Sequence, residues 1–189
     1  MFIHPDDETK VIKIERNEKA ESLRSLLGIF RPVPSGNDRE VAEYQRLILT
    51  NVDYERYFPR FHGVVDTDLG KGVCVQLLKG TDGKLPLSIK EHLLSKVPPP
   101  REFFSWFREE YRKFASFCER HLIMSVSSGF ENLGIVQVEG ARKLVSFDLK
   151  SVSTKQLIPL ADFSSSLKRQ RIRRRFCRQM EKLDALQRL

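Results

Sequence analysis

The stretch Met124–Lys150 decides how this chain is read: Ser125–Val136 runs SVSSGFENLGIV, a turn follows at Val138-Glu139-Gly140, and Lys143–Lys150 runs KLVSFDLK. Two short apolar runs joined by a Gly-containing turn predict an antiparallel hairpin. That hairpin sets Asn132 just before its first strand and Asp148 just after its second. An amide and a carboxylate are therefore expected at one end of the strand pair, where both offer oxygen to a hard cation.

Upstream of the hairpin the period is helical. From Arg101, residues Phe103, Phe104, Trp106, Phe107, Tyr111, Phe114, Phe117, Cys118 and Leu122 give one broad apolar face, which predicts a central, packed helix rather than a base-stacking surface. A shorter helix is expected from Ser88 through Val97, ended by Pro98-Pro99-Pro100, because proline restricts the residue before it and supplies no donor. Residues 59–78 hold the clearest β signal, two apolar runs around an Asp/Gly-rich turn. Lys79–Lys84 then reads as a flexible hinge.

Nearer the N-terminus, Phe2–Pro5 is read as extended and His4–Asp7 as a turn. Val11-Ile12-Lys13-Ile14 predicts a strand with Lys13 in its middle. Such a Lys can lean across a cleft to phosphate, but alternation alone also produces an exposed Lys there. Asn17–Phe30 fits a short helix and Arg31–Asn37 a loop. The next helix is expected from about Arg39 to Leu49, capped by Asn37 or Asp38, with Val41, Tyr44, Leu47 and Ile48 on one face. Glu40 and Glu43 lie on or beside that face.

The C-terminal region carries most of the charge. Residues 167–189 hold nine Lys and Arg against Glu181 and Asp184, so the formal net charge of +8 belongs largely to this tail. Ser164–Ser166 can cap a helix whose apolar stripe is Ile172, Phe176, Met180, Leu183 and Leu186. Its other face, within residues 168–182, is basic. A nucleic acid, an acidic surface or a membrane surface would suit it; the plainer expectation is a solvated face on a helix docked by its stripe.

With 189 residues and 40% apolar composition the chain can bury one core or two small lobes sharing a cleft. Asp6, Asp7 and Glu8 precede any sustained apolar run, and no window approaches a membrane span, so a cytoplasmic location is expected. Cys74, Cys118 and Cys177 are odd in number and widely spaced, which suggests reduced thiols rather than a disulfide framework or zinc site.

These residues together resemble the YrbL family, the PhoP regulatory network proteins of the protein-kinase-like superfamily. The resemblance rests on His4–Asp7 with Val11–Ile14, Glu40 with Tyr44 and Leu47, Pro59–Gly63 with Thr67–Gly70, Asp82-Gly83, Glu131-Asn132, Asp148, and Leu157–Leu160, in the family's order along nearly the whole chain. It implies an α+β, abridged kinase-like fold of two lobes. Residues 1–80 would form a small antiparallel-sheet lobe lacking the Gly-rich hairpin, and residues 81–189 a mainly helical lobe.

The resemblance also implies roles. Lys13 takes the place of the Lys that contacts nucleotide phosphates and Glu40 that of its helix partner, with Glu43 as the competing choice. Leu77, Leu78 and Lys79 would line the adenine, and Asn132 and Asp148 would hold the metal, so ATP and Mg2+ are the implied cofactors. Ser127 stands at the catalytic Asp position and Gly129 where a Lys follows it. A hydroxyl of ordinary pKa does not take up the substrate proton as a carboxylate does. The implied function is a degenerate kinase of a bacterial PhoP regulatory network, acting through an unknown protein partner with weak or absent transfer. The alternatives are an active phosphotransferase whose base is Glu131 or a water, and a binding module working through the basic helix.

Overall fold

Val11, the β-branched centre of the first long strand, faces the core, and the sheet grows outward from it. The computed structural model describes residues 1–15, 35–80, 83–97, 99–125, 129–138, 140–149 and 164–187. Strands β1 (Phe2–His4) and β2 (Asp7–Ile14) turn about Pro5-Asp6, and β3 (Phe61–Thr67) and β4 (Gly70–Gln76) turn about Asp68-Leu69. They form one antiparallel sheet of order β1-β2-β4-β3. Gly72 lets β4 close on β2: an ideal Cβ there would fall 2.4 Å from the Ile12 side chain.

Helix α1 (Gly36–Leu49) begins three residues earlier than its apolar pattern suggests. Ser35, not Asn37 or Asp38, is its cap. The Ser35 hydroxyl accepts from the Asp38 N–H and the Asp38 carboxylate accepts from the Ser35 N–H, a reciprocal box. Glu15 adds a second carboxylate, accepting from the Gly36 N–H at 2.9 Å, where the helix dipole favours negative charge. Asn37 donates to the Lys13 carbonyl at 3.0 Å, which fixes the helix start against β2. On the expected face Tyr44 and Leu47 are buried, whereas Ile48 is exposed.

Helix α2 (Ile89–Leu93) is shorter than expected, capped by Ser88 with Glu91 as its box partner. Val97, expected on its apolar face, is exposed. Helix α3 (Arg101–His121) follows Pro100 and buries Phe103, Phe104, Phe107, Tyr111, Phe114, Ala115 and Cys118. The second sheet is the hairpin of β5 (Leu133–Val138) and β6 (Ala141–Ser146), with Leu133 opposite Ser146. Helix α4 (Ser165–Gln187) lies on α3, its Ile172 and Leu183 buried and its Phe176 ring 5.3 Å from that of Tyr111.

One hydrophobic cluster joins these elements, from Val11, Val73 and Val75 of the sheet through Tyr44 and Leu47 to the α3 aromatics, the hairpin and Ile172 of α4. The observed class is α+β, with antiparallel sheets and packed helices. Cys74 and Cys118 are buried thiols and Cys177 is exposed. Among the described residues no helix is long and apolar enough to cross a membrane. The expected helix at 17–30, Ser127, Asp82 and Leu157–Leu160 lie outside the described residues.

Candidate functional site

Period two sets the side chain of Lys13 on the same face of β2 as Val11, toward α1 and the core. The Lys13 ammonium reaches Glu40 Oε1 at 2.6 Å and donates to the Phe147 carbonyl at 2.8 Å. The alternative partner is ruled out by geometry. Glu43, one turn on, is also buried, but its carboxylate is taken by Arg46 at 2.7 Å, and Arg46 donates in turn to the His121 carbonyl.

Glu40 is held from three sides. Burial raises the pKa of its carboxyl, while the Lys13 charge, the hydrogen bond from Lys13 and the Leu149 N–H pull it back down. The Asp148 carboxylate is near enough to oppose its ionisation as well. Tyr44, one turn along α1, has a buried hydroxyl with no hydrogen-bond partner among the described residues. Burial, then the negative charge of Glu40, keeps that phenol protonated far above the usual range.

The backbone that closes the hairpin sets Asn132 and Asp148 at the same end of it. The Phe147 N–H donates to the Asn132 carbonyl at 2.9 Å, one residue beyond the Leu133–Ser146 pair. The Ser146 N–H donates to the Tyr57 carbonyl at 2.7 Å, and the Ser146 hydroxyl to the Asp148 carbonyl at 3.1 Å. Phe147 is thus the joint of the site: its N–H holds Asn132, its carbonyl holds Lys13, and Asp148 follows it. Its ring lies over Gly134, where an ideal Cβ would fall 2.1 Å from the ring.

A cavity of about 550 Å³ adjoins this joint, lined by Pro86, Ser88, Lys90, Glu91, Leu94, Glu131 and Phe147. None of the residues expected to hold nucleotide lines it. Two of its lining residues are chain neighbours of theirs: Phe147 precedes Asp148 and Glu131 precedes Asn132. Glu131 folds back over Gly129, whose φ is +80° and whose Cβ, were there one, would fall 2.6 Å from the carboxylate. Leu77 and Leu78 are half-buried and Lys79 is exposed as the chain leaves β4, with the Leu77 N–H donating to the Thr9 carbonyl at 2.7 Å.

Among the described residues no three His, Cys, Asp or Glu side chains gather as a metal cluster. Asp148 and Asn132 offer one carboxylate and one amide, donor types that, with phosphate oxygens, suit a magnesium ion on a nucleotide. Phe147 and the Leu149 N–H were not legible as site residues, because backbone groups and an apolar side chain leave no mark of such a role in the sequence.

Comparison with protein families matches residues 1–184 to the family described as PhoP regulatory network protein YrbL. No curated protein matches the chain.

Proposed function

The chain belongs to the family of PhoP regulatory network proteins YrbL, and on that premise we propose that it is a kinase-fold protein that binds ATP with a divalent cation and acts mainly through contact with a protein partner. The observation that carries this reading is the part-buried Lys13–Glu40 pair, held against the backbone that presents Asp148. In this reading Glu40 and the Phe147 carbonyl orient the Lys13 ammonium toward phosphate, and Asp148 and Asn132 hold the cation. A bound magnesium nucleotide supplies the transferable phosphoryl group and the charge neutralisation.

The test is the rise in melting temperature on adding ATP with magnesium, for the native chain and for Lys13→Ala and Asp148→Ala. Ligand at ~100 times Kd stabilises by about 2.7 kcal/mol. That rise should vanish in both variants, whatever their own starting Tm. An equal rise in either overturns the assignment.

A second reading, active phosphoryl transfer, is favoured by one observation: Gly129 leaves room for the Glu131 carboxylate at the cavity beside Asn132. Glu131 would then act as the general base. Transfer from labelled ATP that is lost in Glu131→Gln supports it; no transfer by the native chain ends it.

A further inference from the structure

The outward flank of α4 carries five cations against one exposed acid, Glu181. Its apolar stripe is spent on the core, Ile172 and Leu183 being buried and Phe176 and Met180 packed against it. Arg173 pairs with Glu119, and Asp184 pairs with Arg108 of α3. Arg171, Arg175, Arg178 and Lys182 succeed one another at i, i+4, i+7 and i+11. They form one row, roughly 16 Å long at 1.5 Å per residue, with Arg174 exposed beside it. No ion pair to any of these five occurs among the described residues.

Arg175 gives the row its meaning. Its Nη1 is buried and has no hydrogen-bond partner among the described residues. Burial, and then the charges of Arg171 and Arg178, lowers its pKa from the ordinary arginine value. Like charges at helical spacing repel, and a buried unpaired N–H costs free energy. An anion carrying several charges along the row removes the repulsion.

Three kinds of anionic surface could do so, and the packing separates them. A membrane-bound amphipathic helix inserts its apolar face into lipid, and here that face is buried on the core. A protein interface is anchored by an apolar or aromatic centre, and the one exposed large apolar side chain on the described part of this flank, Leu167, stands at its N-terminal end rather than at its centre. A phosphate chain needs only charge and the planar guanidinium fork, which takes phosphate oxygens two at a time. We propose that this row of α4 binds the phosphate backbone of a nucleic acid. Such contacts position the protein without reading sequence.

The test is fluorescence anisotropy of a labelled DNA duplex of arbitrary sequence, titrated with the full chain at several salt concentrations. Four phosphate contacts predict that log affinity falls against log salt with a slope near ~3.6, at ~0.9 per contact. Arg171→Gln/Arg178→Gln should lower that slope by about two and weaken low-salt binding at least ~10-fold, with circular dichroism unchanged and Tm no lower than native. Arg173→Gln, on the Glu119 side, should leave the slope unaltered. Absence of binding at low salt, or an unchanged slope in the double variant, overturns the proposal. So does tighter capture of poly-glutamate or of anionic phospholipid vesicles than of the duplex.

Discussion

Lys13 on β2 and Glu40 on α1 meet at 2.6 Å, with side chains only 20% and 8% exposed. The contact links the sheet to the helix, and the second hydrogen bond of Lys13, to the Phe147 carbonyl, links both to the hairpin. A cation with two acceptors from two other elements is a positioned group rather than a solvated one. Removing one member of such a pair leaves the other charge buried.

Lys13→Met is therefore expected to cost about 3 kcal/mol at neutral pH. The cost should shrink on acidification. The Glu40 pKa is raised in the folded chain, so its protonated form favours folding below the ordinary carboxyl range, and that contribution is lost as pH rises through the folded value. Urea unfolding of the variant and native chains across that acidic range measures the difference. A gap that stays constant or widens toward acid pH refutes the account.

Gly134→Ala should destabilise by about 1–3 kcal/mol, because the new Cβ overlaps the Phe147 ring and the well-packed hairpin end must shift. Any stabilisation by magnesium and ATP should fall with it, since Phe147 is the residue that holds Lys13. A variant as stable as the native chain would show that the ring has room to leave.

Ser35→Ala removes the cap of the helix that carries Glu40 and should lower stability by about 1 kcal/mol, with Ser35→Thr retaining most of it. Chemical denaturation of the two variants side by side decides this. No loss in Ser35→Ala would mean that Glu15, and not the Ser35 hydroxyl, satisfies the helix start.

The docking of α4 should depend on apolar burial and hardly at all on its ion pairs. Ile172→Ala is expected to cost about 2–4 kcal/mol. Glu119→Gln, which removes the partner of a largely exposed Arg173, should change stability by no more than ~0.5 kcal/mol. The reverse order, read from urea midpoints, would contradict this packing.

The sequence by itself determined the features that local periodicity sets. Alternation placed β2 and the β3–β4 hairpin, the 3.6-residue repeat placed α3 and the buried stripe of α4, and the Gly140 turn placed Asn132 and Asp148 at one end of β5 and β6. It also narrowed the partner of Lys13 to Glu40 or Glu43. Period and composition do not encode which face of β2 meets the core, nor which turn of α1 lies opposite it, because residues 13 and 40 share no local geometry. Only the packing of α1 on the sheet decided that, by giving Glu43 to Arg46 and Glu40 to Lys13. The same limit explains the rest: the early start of α1 rests on Glu15 reaching Gly36 from the end of β2, and the role of Phe147 rests on backbone atoms that every residue carries and that only the folded chain aims.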